Sequence, residues 1–265
     1  MKPAIRFSAV FAVLLLVTAL SADFSFANPP AKQEFYEIRI YHVYGPQDGK
    51  VDAFLKDAFI PALHRAGIAK VGVFKPLETD LQSGKKIFVF IPYKTLEQYS
   101  SLSEVLAKDK TYQDAGKSFL AAPFNEAPYK RHESILLKAF KDWPQATFPE
   151  YTNPVSERVY ELRSYESSTE DLAVRKIHMF NEGKEIDIFT KLNFNAVFYG
   201  EVLAGSSKPN LMYMTTFTDM KSHDEHWKAF GASDEWKALS PKEEYKNTVS
   251  YIDRYLLRPA NYSDF

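Results

Sequence analysis

Two short segments carry acidic, basic and phenolic side chains in the same order. Tyr36-Glu37-Ile38-Arg39-Ile40-Tyr41 returns 124 positions later as Tyr160-Glu161-Leu162-Arg163-Ser164-Tyr165. A guanidinium beside a phenol can bind a small carboxylate or enolate, because both groups donate hydrogen bonds to oxygen. The same side chains could instead pair internally and fix the register of neighbouring strands, since buried charges need partners. Both interpretations stay open for six candidate ligand-binding residues, which are Glu37, Arg39, Tyr41, Glu161, Arg163 and Tyr165.

A histidine adds a group that could transfer protons. In the helix predicted after Asp219, periodicity places His223 on the same inward face as Trp227. We therefore expect His223 to be either a catalytic residue or a core imidazole bonded to the backbone or to a tyrosine. His226 is three residues further, but its ring points elsewhere, so the pair predicts no metal site. One inward histidine gives little basis for a haem, and the phosphate-loop and nucleophile-elbow motifs are missing, so we predict no cofactor.

Alternating residues predict that each motif is a strand. Over 35–43, Tyr36, Ile38 and Ile40 share one face, whereas the charged side chains share the other. We expect helices to cover the apolar face. The charged side chains would then project into the space between two sheets.

The element order repeats as well. Apolar periodicity and turn residues predict strand, helix, strand, strand, helix, strand in each half, which is the ferredoxin-like arrangement. We place the first repeat at 33–141, a Pro-rich linker at 142–156 and the second repeat at 157–265. Within the first helix, over 50–66, Pro61 predicts a kink. The predicted fold class is therefore α+β, with two tandem ferredoxin-like units on one chain.

Several of these segments resemble the NIPSNAP family. The resemblance rests on the Tyr-Glu-x-Arg-x-Tyr strands, on His64-Arg65-Ala66-Gly67, and on the run 224–230 followed by Asp234-Glu235-Trp236. It covers both halves but is stronger in the second, because the first has Ser103 and Tyr112 where the second has Trp227 and Trp236.

The resemblance implies a dimeric α+β barrel. Because both units are on one chain, a monomer could close the barrel, and further homo-oligomers stay open. Related barrels include cofactor-free monooxygenases, haem-binding enzymes and mutarotases, whereas NIPSNAP-like proteins have no agreed chemistry. Neither enzyme nor non-enzyme is therefore indicated.

Residues 1–27 have the pattern of a secretory signal peptide. A basic start with Lys2 and Arg6 precedes an apolar run from Phe7 to Leu20, and Ser25-Phe26-Ala27 has small residues at the cleavage positions. The apolar run is shorter than the about 20 residues of a membrane-spanning helix, although an uncleaved anchor is the alternative. We expect cleavage after Ala27 and a secreted or periplasmic protein that leaves the membrane.

Composition limits the partners. The formal net charge is −1 and no basic patch occurs, which argues against nucleic acid as a partner. The chain has no cysteine, so a disulfide framework is excluded.

Two classes of function remain. In the first, an apolar or aromatic molecule with an acidic group binds, or is transformed, in the barrel lumen. Aromatic strand residues would line that lumen or fill the core: Phe74, Phe88, Phe90, Phe198, Tyr199 and Tyr213. The alternative is a non-catalytic envelope binding or scaffold protein that acts through its surface, suggested by the linker aromatics Trp143, Phe148 and Tyr151.

Overall fold

The computed structural model describes residues 31–265. The predicted signal peptide, at 1–27, lies outside the described residues. Within them, none of the helices combines the length and apolar character needed to span a bilayer.

Antiparallel strands close into a barrel. Their bounds are β1 (Phe35–His42), β2 (Gly72–Pro76), β3 (Lys86–Tyr93), β4 (Arg131–Ala139), β5 (Val159–Glu166), β6 (Phe198–Ala204), β7 (Asn210–Phe217) and β8 (Tyr251–Pro259). Around the barrel they run β1-β3-β2-β8-β5-β7-β6-β4. Pairing of β2 with β8 and of β4 with β6 joins the two halves, so neither half keeps a free sheet edge there.

Helices cover the outside of this barrel. Their bounds are α1 (Gln47–Phe54), α2 (Ile60–Arg65), α3 (Leu96–Lys108), α4 (Lys110–Ala115), α5 (Lys117–Leu120), α6 (Glu170–Phe180), α7 (Glu185–Lys191), α8 (Met220–Ala232) and α9 (Asp234–Leu239). We call β1–β4 with α1–α5 the first unit, and β5–β8 with α6–α9 the second unit.

The two units are built to the same plan. The strands β1 and β3 and the helices α3 and α4 each begin and end 124 positions before β5, β7, α8 and α9. The last strand, β8, follows β4 by 120 positions. The predicted α+β barrel of two ferredoxin-like units is thus confirmed.

The barrel interior is apolar and filled, and this corrects the predicted orientation of the strands. Tyr36, Ile38 and Ile40 face inward, where they pack with Phe90 of the same unit and Phe198 of the second unit. The charged face of β1 and β5 lies under the helices instead. A space enclosed by strands on all sides has no contact with water, so unpaired charges would cost several kcal/mol there. The seams between helices leave the two arginines partly accessible, while Glu37 and Glu161 are buried.

The candidate aromatic residues divide between these two layers. Phe74, Phe88, Phe90 and Phe198 fill the barrel interior. Tyr199 and Tyr213 pack under the helices of the second unit. All six are core residues, so the predicted binding site in the lumen is wrong.

A π-helical turn, Leu55–Phe59, lies directly before Pro61, the residue at which a kink is predicted. Pro61 has no N–H to donate to the carbonyl of Asp57, so the ordinary hydrogen-bond ladder cannot continue through it. The wider turn joins α1 to α2 and places the buried Phe59 against Arg39, with its ring centroid 4.8 Å from Arg39 Cζ.

Candidate functional site

A buried ion pair lies under the helices of the first unit. Arg39 Nε donates to Glu37 Oε1 at 2.9 Å, and Arg39 Nη2 donates to Oε2 at 3.3 Å. Ser134 Oγ and the Tyr93 hydroxyl each donate to the same carboxylate at 2.8 Å. The Glu37 side chain is 1% exposed, whereas that of Arg39 is 20% exposed. A molecule that enters between the helices therefore reaches the Arg39 guanidinium before it reaches the Glu37 carboxylate.

The second unit repeats the pair with different neighbours. Arg163 Nη2 donates to Glu161 Oε1 at 2.8 Å, and Arg163 Nη1 donates to the Tyr165 hydroxyl at 3.2 Å. The indole of Trp227 lies over the guanidinium, with its ring centroid 3.6 Å from Arg163 Cζ. Trp227 Nε1 also donates to Glu161 Oε2 at 2.6 Å. Here the arginine is enclosed between a carboxylate and an aromatic ring.

Helix caps place the residues above both arginines. The Thr95 hydroxyl accepts from the N–H of Gln98 and starts α3, and the Asp219 carboxylate accepts from the N–H of Ser222 and starts α8. Asp109 then caps α4 through the N–H of Tyr112, at 2.9 Å. These caps set the register that brings Ser103 over Arg39 and Trp227 over Arg163.

A cleft is open above Arg39. Its volume is about 380 Å³, which is sufficient for a small organic molecule. In the second unit, Trp227, Phe230 and Trp236 pack into the equivalent space, with ring centroids of the first two 5.6 Å apart. In the first unit the same positions hold Ser103, Leu106 and Tyr112, which fill less volume. The cleft is lined by Glu37, Arg39, Phe59, Tyr93, Tyr99, Leu102, Ser103, Leu106, Ala107, Tyr112, Gln113 and Leu120.

Charge is retained at both pairs despite burial. Burial raises the pKa of Glu37, but Arg39 and the hydroxyl donors outweigh it, so the pKa lies below its usual value. Burial also opposes the charge on Arg39, yet Glu37 raises its pKa overall. The pKa of Glu161 is lowered in the same way, by His223 and Arg163 against burial. Both pairs are therefore ionised near neutral pH.

The predicted catalytic residue His223 is buried beside the second pair. Its Nδ1 lies 2.8 Å from Asp224 Oδ1, and its Nε2 lies 3.3 Å from Glu161 Oε2. The second contact lacks hydrogen-bond geometry, so we describe it as an ion pair. Burial lowers the pKa of His223, but the two carboxylates outweigh burial and raise it. The partners of His223 are thus carboxylates, in place of the backbone or tyrosine partner considered from the sequence.

The other predicted residues occupy different places. Tyr165 accepts from both Arg163 and Tyr213, at 3.2 and 2.8 Å. Tyr41 packs against Phe119 and Tyr129 and does not line the cleft. The six ligand-binding candidates therefore form two separate groups, and only Glu37 and Arg39 border the cleft.

Sequence reasoning missed several residues at these sites. Phe59 and Tyr99 were not recognised, although both lie on helices facing the charged strand. A buried pair in the second unit was also missed, in which Lys176 Nζ lies 2.7 Å from Glu185 Oε2. Its signal was a lysine at an apolar position of the α6 helix.

No metal cluster is found in the described part of the chain, where no three His, Asp or Glu side chains are grouped to hold an ion.

The linker aromatics fold back onto the barrel. Trp143 packs on Tyr199 with ring centroids 5.6 Å apart, and Phe148 packs on Phe265 at 5.2 Å. The Tyr151 hydroxyl lies 2.6 Å from Thr216 Oγ1. The three aromatic side chains that suggested a scaffold role therefore make contacts within the chain.

A family model described as NIPSNAP matches residues 160–264. This part of the chain is therefore similar to NIPSNAP domains. The matched segment contains Glu161, Arg163, His223 and Trp227, which form the site that is closed by Trp227. The match covers the half in which the Trp-containing helix carries the resemblance. A search of curated proteins finds no match to this sequence.

Two candidate monooxygenases of known structure are similar in fold over most of this chain. A candidate monooxygenase from Lactobacillus acidophilus NCFM has a TM-score of 0.54 and 10% identity, over 86% of this chain and 94% of that one. Another from Fusobacterium nucleatum has a TM-score of 0.53 and 11% identity, over 86% and 93% of the two chains. A NIPSNAP family protein from Agrobacterium tumefaciens has a TM-score of 0.37 and 15% identity, over 45% of this chain and 98% of that one. At 10% and 11% identity, the first two structures show only that this chain has a similar fold.

Proposed function

We propose that this chain is an exported protein that binds a small apolar or aromatic molecule with an acidic group in the cleft above Arg39. The observation that carries the proposal is the exchange of Trp227 for Ser103 at equivalent positions over equivalent arginines. It leaves the first unit with a volume of about 380 Å³ beside a buried ion pair. The binding site thus lies between the sheet and the helices of the first unit, outside the barrel lumen.

The walls of the cleft suit such a molecule. Phe59, Leu102 and Leu106 provide apolar surface, while Tyr99, Ser103 and Tyr112 bring hydroxyl groups. Arg39 is more exposed than Glu37, so an acidic group entering the cleft meets the cation before the buried carboxylate. Arg39 can therefore attract an anion while Glu37 keeps the guanidinium in place.

A larger groove is less suitable. It has a volume of about 690 Å³ and lies between α1 and the segment that follows α4. Its charged side chains are Lys50, Asp57 and Glu126, all of which are exposed to solvent. Exposed charges give weak, screened attraction, whereas a partly buried guanidinium is held in one orientation. We therefore place the ligand in the smaller cleft.

Replacing Ser103 with tryptophan tests this proposal. The new indole should occupy the cleft as Trp227 occupies its counterpart, and should weaken binding of naphthalene-2-carboxylate by at least tenfold, or about 1.4 kcal/mol. Isothermal titration calorimetry of both proteins measures the difference. Val105→Trp is the matched control, because Val105 is exposed on the same helix and does not line the cleft.

Equal binding by the wild-type protein and Ser103→Trp would place the ligand elsewhere. No binding by the wild-type protein at millimolar concentration would remove the basis for the proposed class of ligand. Circular dichroism should show the same melting behaviour for all three proteins, since tryptophan is accommodated at this position in the second unit.

Export is the second part of the proposal and is supported by the basic and apolar pattern of residues 1–27. Intact-mass measurement of the protein purified from its native cell envelope should give a chain that begins at Asn28. A mass that includes Met1 to Ala27 would instead indicate an uncleaved anchor or an unexported protein.

A further inference from the structure

The second unit contains a side chain in the place where the proposed ligand would bind. Strands β1 and β5 and helices α3 and α8 are equivalent at a constant offset, so Ser103 and Trp227 hold the same place above Arg39 and Arg163. Trp227 lies flat enough to bring its ring centroid to 3.6 Å from Arg163 Cζ. This distance is typical of an aromatic ring in contact with a guanidinium.

From this equivalence we infer that the ligand of the first unit is a planar aromatic acid whose ring stacks on the Arg39 guanidinium, as the Trp227 indole stacks on Arg163. The inference rests on the proposed function and narrows its ligand class. Phe59 already contacts Arg39, with its ring centroid at 4.8 Å from Cζ. A planar guanidinium has two faces, and the position that Trp227 holds in the second unit carries only the Ser103 side chain in the first.

Glu37 sets a further condition on the ligand. Trp227 Nε1 donates to Glu161, but in the first unit Tyr93 and Ser134 already donate to the equivalent carboxylate. With the two bonds from Arg39, the acceptor positions of Glu37 are occupied. The ligand therefore needs a planar ring and an acid, and needs no N–H donor. Tyr99 and Tyr112 also line the cleft, and their hydroxyl groups are of a type that donates to an acidic group.

Two acids with the same carbon skeleton test the inference. Naphthalene-2-carboxylate is planar, whereas decahydronaphthalene-2-carboxylate has the same ten ring carbons and charge but puckered rings. Stacking on a partly desolvated guanidinium predicts that the planar acid binds about 5- to 30-fold more tightly. A cleft that recognises only apolar surface and charge would bind the saturated acid at least as well.

Arg39→Lys is the variant that separates charge from planarity. Lysine keeps the positive charge beside Glu37 but has no plane on which a ring can stack. The preference for the planar acid should therefore fall in Arg39→Lys, so that the ratio of the two affinities approaches one. Calorimetry on both proteins, with melting curves to confirm folding, gives the four affinities.

The outcomes distinguish this inference from the proposed function. Equal binding of both acids by the wild-type protein would overturn the stacking inference and leave the cleft as the binding site. A preference that persists unchanged in Arg39→Lys would also overturn it, because the plane would not be its source. Failure of both acids to bind would overturn the proposed function and the inference together.

Discussion

Replacing Arg163 with alanine is expected to lower the free energy of unfolding by about 3–5 kcal/mol, because it leaves a buried carboxylate without its closest cation. Glu161 is fully buried and accepts a hydrogen bond from Arg163 at 2.8 Å. The variant also removes the cation from under Trp227. Chemical denaturation followed by tryptophan fluorescence measures the change.

The loss of stability caused by Arg163→Ala should depend on pH. Arg254 Nε lies 3.9 Å from Glu161 and stays charged at every pH used, whereas His223, at 3.3 Å, titrates. The pKa of His223 is raised above the ordinary value of 6.5 in the folded protein. Its stabilising charge is fully present below 6.5 and is lost as pH rises through the raised pKa. The variant should therefore lose less stability at about pH 5.5 than at about pH 9. The same loss at both pH values would show that His223 does not compensate.

An exposed arginine provides the control. Arg175 pairs with Asp171 one helical turn away, at 2.8 Å, and both side chains are largely exposed. Arg175→Ala should change stability by no more than about 0.5 kcal/mol. A similarly small effect of Arg163→Ala would mean that the Glu161 pair is not the structural element described above.

Phe198→Ala is expected to destabilise the protein by about 3–5 kcal/mol, because it opens a cavity in a filled barrel interior. The Phe198 ring stacks on Phe90 with centroids 5.0 Å apart and contacts Tyr36 at 5.4 Å. These contacts join the two units across the interior. Urea denaturation measures the loss.

Phe124→Ala is the matched control for this change, since the Phe124 side chain is fully exposed. It should alter stability by no more than about 0.5 kcal/mol. A small effect of Phe198→Ala would indicate a loosely filled interior and would restore the lumen as a candidate binding site.

The order of the strands could be predicted because alternation and turn residues are local signals. The constant offset between the halves was also visible in the sequence. The same offset of 124 positions relates helices α3 and α8 in the structure. These features follow from short-range chemistry and need no knowledge of what packs against each face.

The inward face of the strands could not be read in the same way. Both faces of β1 are covered, one by the opposite sheet and one by helices, so an apolar face does not identify the helix side. The aromatic residues held a usable signal, because Phe74, Phe88 and Phe90 alternate with smaller Val73 and Val89. The larger rings fill the wide space between the sheets.

The difference between Ser103 and Trp227 was visible in the sequence, but its consequence was not. The consequence depends on Arg39 lying under α3, and this follows only once the charged face is known to face the helices. The π-helical turn that brings Phe59 to Arg39 likewise depends on packing around Pro61. Long-range contacts of this kind have no pattern in a single segment.

The location of a bound probe tests the central claim most directly. In crystals grown with saturating naphthalene-2-carboxylate, we predict electron density in the cleft lined by Arg39, Ser103 and Tyr112, with the ring against the guanidinium. The NMR resonance of the Arg39 Nε–H group should shift on titration with the same probe, while that of Arg163, already under Trp227, should not. Density in the barrel interior or in the groove beside Phe54 and Phe119, or an unchanged Arg39 resonance at saturation, would contradict the account.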